Sequence, residues 1–289
     1  MSFVQFASSL CSNVITVWLN FFWVALILWA VERLFPKDRV SIASQLRSLR
    51  FWVFAGLGTG IAVTVWSLIA AWLHPRPWIV LPLQNWFAHP LVHWSLYVIA
   101  PVLSVILYDF FDYWMHRAQH KWLWRLHSIH HSIEELSGIN SYFHWSEQFF
   151  RCAFILLPAA YLIGIDGVKT AAIAELLMRL QGYYLHSPSS LHVGPVLRRV
   201  IADNRFHRIH HSIHPEHFDK NFGAGTSIWD QLFGTAHFPA DDDWPATGIA
   251  GHPEAKTLGE YLWRPFTRST RQRAGSREEE NAENGLAAI

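Results

Sequence analysis

Cysteine is nearly missing from this 289-residue chain: Cys11 and Cys152 stand far apart, each in an apolar stretch. That pattern supplies no disulfide framework and no thiolate metal site. Charge is also scarce, at 16% of residues against about 25% in an ordinary soluble domain. A formal net charge of +1 gives no electrostatic case for nucleic acid. No Gly-x-Gly-x-x-Gly segment marks a flavin or nicotinamide site, and no haem-binding domain is evident. Residues 1–31 carry no charged side chain. With neither a basic flank nor a small-residue cleavage site there, a cleaved signal peptide is not expected.

What is present is apolar and aromatic. Half of the residues are hydrophobic, and 16 Trp with eight Tyr suit a protein with long membrane–water boundaries. Three runs are long enough to cross about 30 Å of hydrocarbon: Leu10–Val31, Phe51–Leu73 and Pro90–Tyr108. Gly56, Gly58 and Gly60 let a neighbour approach the second run closely. A shorter run from Cys152, a turn at Asp166-Gly167 and a second leg to His186 read as a helical hairpin that dips into the membrane or spans it. Glu175 and Arg179, four apart on that second leg, can pair. The loop between the first two runs holds Arg33, Lys37, Arg39, Arg47 and Arg50, whereas the next loop has Arg76. The positive-inside rule then places the N-terminus outside and the region after Tyr108 in the cytoplasm.

The expected fold is an all-α integral membrane protein, its transmembrane helices and hairpin capped by a cytoplasmic histidine-rich helical metal domain. The expected divisions are a membrane region at 1–108, a histidine domain at 109–263 with the hairpin at 152–186, and a disordered tail at 264–289. That tail is five Arg followed by Glu278-Glu279-Glu280 and small polar residues, which cannot bury a core.

Of 18 histidines, nine fall in an ordered set: His116-x-x-x-His120, His127-x-x-His130-His131, the single His186, and His207-x-x-His210-His211. Residues three and four apart share a helix face, so each cluster presents two or three imidazoles to one place. Isolated histidines are usually structural, but His-x-x-His-His occurs twice, each time followed by Ser-Ile. Nine nitrogens are too many for one ion and suit two, so a dinuclear all-histidine centre is expected. Asp112, four before His116, and Asp109, one turn earlier, are candidate acceptors for the N–H groups of ligand imidazoles. Asp203 and Asn204 stand similarly ahead of His207. His144 and His192 are the further candidate ligands, with a structural role favoured for His144, and His214, His217, His237 and His252 read as loop residues.

This order of boxes, with Tyr113-Trp114-x-His116-Arg117 at the first, resembles the fatty acid hydroxylase/sterol desaturase superfamily of membrane di-iron enzymes. Asp219-Lys-Asn221-Phe222-Gly223 and Trp229-Asp230-x-x-Phe233-Gly234-Thr235 resemble its closing segments. The resemblance covers roughly residues 100–238 and implies an O2-dependent hydroxylase or desaturase of a lipid. It implies two iron ions on the nine histidines, with zinc a possible occupant of purified samples. Two stretches depart from the usual pattern, Tyr142-Phe143-His144-Trp145 and His186-Ser187-Pro188, and so leave the substrate open. Electrons are then expected from a separate donor, a cytochrome b5-like protein, a ferredoxin or a reductase, docking against Arg117, Arg125 or Arg208. The alternatives are a carotenoid-ring hydroxylase and a non-catalytic metal-binding or transport protein. Transport needs ligands near the bilayer midplane, and the clusters lie instead at the ends of apolar runs. A bis-histidine haem anchor would need isolated histidines facing one another across spans, not paired clusters.

Overall fold

The computed structural model describes residues 3–74, 76–86, 88–165 and 168–267. Two long antiparallel helices come first, α1 (Phe3–Leu34) and α2 (Ile42–Leu73), packed along each other. The Ser41 hydroxyl caps α2 by accepting from the Ser44 N–H at 3.2 Å. At its other end His74 takes a left-handed conformation, φ 47°, and donates its N–H to the Ala70 carbonyl. Gly60 fits against Val14 of α1 and Gly56 against Trp18, where a Cβ would overlap the partner.

After β1 (Ile79–Leu81), α3 (Leu96–Trp122) runs unbroken through Asp109, Asp112, His116 and His120. Its 27 residues make about 40 Å of helix, more than the hydrocarbon thickness, so its far end carries histidines past the apolar zone. One helix thus carries the chain across residue 108 without a break. α4 (Trp124–His131) turns back beneath this end.

The hairpin follows. Its first leg is α5 (Glu147–Arg151), a π-helical turn (Cys152–Leu156) and α6 (Leu157–Leu162). β2 (Ile163–Ile165) forms the tip and α7 (Val168–Leu185) returns alongside α3. β2 pairs in parallel with β1, Ile79 opposite Ile163 and Leu81 opposite Ile165. β1 lies in the connection between α2 and α3, at the end of the bundle remote from the histidines. The hairpin tip thus reaches that remote end rather than stopping halfway. This two-stranded ladder is the element that the all-α expectation lacked.

Among the described residues three helical stretches are long and apolar enough to cross a membrane: Phe3–Leu34, Ile42–Leu73 and Leu91–Trp122. Their outward side chains, among them Leu19, Leu26, Val98 and Val102, are exposed, as lipid-facing positions would be. At the histidine end a core of Phe21, Phe51, Trp52, Ile129, Tyr142 and Tyr261 locks α1, α2 and α4 to α10 (Leu258–Thr267). α10 carries the order past residue 263, where a tail was expected to begin. Arg264 is buried there and donates to the carbonyls of Pro253 and Glu254. The rest of the expected tail, from 268, lies outside the described residues. Two short helices, α8 (Asn204–His210) and α9 (Ile228–Leu232), complete the histidine end.

Candidate metal centre

The end of α3, with α4, α8 and the residue after α7, brings all nine boxed histidines together. They divide into a group of five, His116, His120, His127, His131 and His210, and a group of four, His130, His186, His207 and His211. Within each group one ring nitrogen per residue lies within 4.8 Å of all the others. Each His-x-x-His-His box is split: in α4, His127 and His131 face one group and His130 the other, and in α8 the same happens to His210 against His207 and His211.

The protons show what these groups fit. Six of the nine imidazoles spend Nδ1–H on a fixed acceptor. His116 donates to the Phe222 carbonyl at 2.8 Å, His130 to that of Tyr142 at 3.0 Å, His186 to that of Gly182 at 2.7 Å and His210 to that of Lys220 at 2.7 Å. His120 and His127 donate to carboxylates, Asp219 at 3.1 Å and Glu147 at 2.9 Å. A neutral imidazole has one N–H, so Nε2 in these six carries a bare lone pair. Yet Nε2 of His116 stands 3.1 Å from Nε2 of His127, and Nε2 of His130 stands 3.1 Å from Nε2 of His186. Neither pair has a proton to share, and the buried Nε2 of His210 has no partner at all.

Protonating the rings is not the escape. Burial first, then the neighbouring imidazoles, pushes His127, His131, His207 and His211 well below the ordinary 6.5. Lone pairs converging at this spacing fit a cation between them. For metal–nitrogen bonds of about 2.1 Å, donors at right angles lie about 3.0 Å apart. Neutral imidazole suits mid-row transition metals, and no thiolate competes, since Cys11 is exposed and Cys152 is buried in the hairpin.

The surroundings hold the rings in place, by partners that differ in part from those expected. Asp112 does not receive His116; its carboxylate accepts from Arg151 at 2.5 Å. Asp109 does not meet a histidine either. It accepts the backbone N–H groups of Ala224, Gly225 and Thr226 and the Thr226 hydroxyl, at 2.6–3.0 Å. Asp230 takes the N–H of Phe222 at 2.8 Å and of Gly223 at 2.7 Å. Asn221, in the left-handed region at φ 58°, ties the same loop to the carbonyls of Phe206 and His237. Gly223 has no room for a Cβ against the Thr226 carbonyl. Together these contacts fix the loop whose Lys220 and Phe222 carbonyls orient His210 and His116. Asp203 caps α8, accepting from the Phe206 N–H, and pairs with Arg198 at 2.8 Å. Asn204 donates to the carbonyls of Ser187 and Ser189, fixing the chain just after His186.

Glu147 escaped the sequence reading. It is the single acid between Glu135 and Asp166, and that isolation was the available signal. Burial pushes it up to about 7, while Gln119 and the His144 N–H donate to it and His127 donates from the metal side. Asp219, 59% exposed in its side chain, carries the contact with His120 out to the surface and is held low by it. His144 bonds Ser146 and the Leu262 carbonyl, and exposed His192 accepts from the Gly194 N–H; neither joins the cluster. Arg208 does not face a docking partner. It is buried, donates to the Pro245 carbonyl at 2.7 Å, covers Trp244 and pairs with Asp38. Arg125 is exposed and Arg117 half-buried over Trp114 and Phe222.

Comparison with known proteins places the same part of the chain. An ornithine lipid hydroxylase of Rhizobium tropici is 34% identical over 181 residues, 59% of this chain and 51% of that protein. An alkylglycerol monooxygenase of Xenopus tropicalis is 29% identical over 143 residues, 46% of this chain and 29% of that protein. A fatty acid hydroxylase of Lecanicillium is 29% identical over 219 residues, 69% of this chain and 56% of that protein. The chain thus spans about half or less of the length of these relatives, and no solved structure matches. The family model for fatty acid hydroxylase matches residues 101–235, the stretch that holds every histidine of both groups and both aspartate-clamped segments behind them. Through that stretch the chain is similar to the fatty acid hydroxylase family.

Proposed function

We propose that the protein is a membrane-bound, O2-dependent oxidoreductase that hydroxylates or desaturates a lipid at a pair of iron ions. The observation that carries this reading is the set of opposed Nε2 lone pairs, two groups of them, at 3.1 Å and without protons between. One ion would sit on His116, His120, His127, His131 and His210, the other on His130, His186, His207 and His211. Bound iron supplies the means to reduce O2 and to attack an unactivated C–H bond. Iron is chosen over zinc because zinc has no redox chemistry.

The chain's own part is to hold and to exclude. Backbone carbonyls and the carboxylates of Glu147 and Asp219 keep the Nδ1 proton of six of the nine rings in place, so that their Nε2 atoms are presented as donors. The outward faces of α1 and α3 give an apolar substrate a path to the histidine end without leaving the bilayer. Relatives named for ornithine lipids, alkylglycerols and fatty acids support a lipid substrate. Electrons come from a separate donor, for which exposed Lys121, next to His120 in the chain, and exposed Arg125 offer a basic approach. The positive-inside rule puts this face in the cytoplasm.

The test uses purified protein loaded with iron anaerobically in lipid nanodiscs, then given reductant and labelled O2. About two irons per chain are expected, with lipid that gains one labelled oxygen or loses two hydrogens. His130→Ala and His210→Ala, one from each group, should each abolish turnover. Less than one metal per chain, or near-normal turnover in either variant, overturns the reading.

A further inference from the structure

A cavity of about 240 Å³ opens at the histidine end, away from the ring nitrogens. It is lined by Glu32, Arg33, Asp38, Arg39, Gln45 and Pro188, with neighbouring loop residues. It is a built feature. The Lys37 and Asp38 N–H groups donate to the Pro188 carbonyl at 2.8 and 3.1 Å, and the Ser190 N–H donates to the Phe35 carbonyl at 2.8 Å. Asp38 also pairs at 3.6 Å with Arg208, which stands between the boxed His207 and His210. Two of its walls therefore continue directly into the chain that carries His186 and His207.

Glu32 lines it and is only 6% exposed. One of its oxygens, Oε1, accepts from the Gly138 N–H at 2.9 Å; the other is Oε2. The Ser187 hydroxyl lies beside it as a donor within reach. A carboxylate held this far from bulk solvent is stabilised by a charged donor, so this end of the cavity suits a cation that brings N–H groups. At the mouth two guanidinium groups outnumber the one carboxylate, Asp38, which is paired with Arg208. Arg33 and Arg39 are exposed, and Arg33 donates to Gln45 at 3.3 Å. Cation inside and anion outside describe a zwitterion.

The level of the cavity decides where that zwitterion comes from. It sits where α1 ends and α2 begins, the height at which a bilayer keeps its headgroups. Below it, exposed Leu26 and Ile27 on α1 offer an apolar wall for chains. At about 30 Å³ per water the cavity holds roughly eight waters, about the bulk of a phosphoethanolamine group.

We propose that this cavity seats the zwitterionic head of a membrane lipid, with a primary ammonium on Glu32 and a phosphate or carboxylate on Arg33 and Arg39. The proposal rests on the lipid-oxidation reading above and names its substrate class: a lipid with an amine in its head. A primary ammonium offers three N–H donors to the Glu32 carboxylate, and a quaternary one offers none. The head then lies against the loop after His186, so the carbon offered to the metal centre belongs to the head or to the first carbons of its chains.

The test is native mass spectrometry of the full-length, iron-loaded protein with four probes: dihexanoyl phosphatidylethanolamine, phosphatidylglycerol, phosphatidylcholine and free phosphoethanolamine. The amine lipid should be retained about tenfold more tightly than the other two lipids, as one charged hydrogen bond requires. Glu32→Gln should erase that preference with iron content unchanged. Arg39→Gln, on the exposed rim and harmless to folding, should weaken the amine lipid several-fold. Equal retention of the three lipids, or a preference that survives Glu32→Gln, overturns the proposal. Free phosphoethanolamine bound as tightly as the lipid would overturn the lipid source. The same spectra count iron: an iron-loaded chain without preference fails only the head site, and an iron-free chain that still discriminates fails only the di-iron reading.

Discussion

At the scale of single residues, Glu147 is the sharpest test of how the centre is held. Its carboxylate takes the Nδ1–H of His127, while Gln119 and a backbone N–H keep it in place. Glu147→Gln should lower iron affinity about 10–100-fold, the usual cost of losing the group behind a ligand histidine. Competition with a chelator measures it, and an unchanged affinity would make Glu147 a packing residue only. Asp112→Asn should leave iron affinity nearer to normal, because its partner is Arg151 and not His116. The nine histidines were legible because helical spacing is local. Their supports were not, because Phe222, Asp219, Tyr142 and Glu147 reach them across 12 to 106 positions, and a carbonyl leaves no mark in a sequence.

At the scale of elements, α2 meets the site's supporting loop at Gly58. A Cβ there would overlap the backbone carbonyl of Trp145, two residues before Glu147. Backbone cannot swing aside as a side-chain tip can, so Gly58→Ala should push this loop outward and lower iron content together with thermal stability. Gly182→Ala, with nothing within 4 Å, is the control and should change neither. An iron content for Gly58→Ala equal to that control would show that the loop yields freely. The three spans could be read from uncharged length. α3 could be followed past its apolar run because Asp112 and His116 keep the helical interval. β1 and β2 could not be foreseen, since three-residue strands carry no usable alternation. Arg264 misled because a guanidinium buried on carbonyls looks, in sequence, like the start of a basic tail.

For the whole molecule, acid should dismantle the centre. His127, His130, His131, His207, His210 and His211 are held well below 6.5 when folded. Below that pH the unfolded chain binds more protons than the folded one, so stability falls as pH drops and is level above it. Protons also compete with metal for Nε2. Melting temperature and retained iron should both be flat from pH 8 to about 7 and fall steadily towards pH 5; a flat profile across that range would contradict the lowered values. Topology gives a second test: a reporter active only in the cytoplasm should work when fused after residue 267 and fail in the loop near Gln84. The reverse would place the centre on the outer face and remove its route for electrons.

The pairing of Ile79–Leu81 with Ile163–Ile165 also sets an order in time. The first strand is made about eighty residues before the second, roughly 4–16 s earlier at the usual pace of synthesis. For that interval its N–H and C=O groups stand unpaired at the edge of a bundle still missing its last legs, a ready template for a wrong strand. The most exposed moment in this protein's life therefore falls while the chain is still being made, and it ends when the hairpin tip arrives.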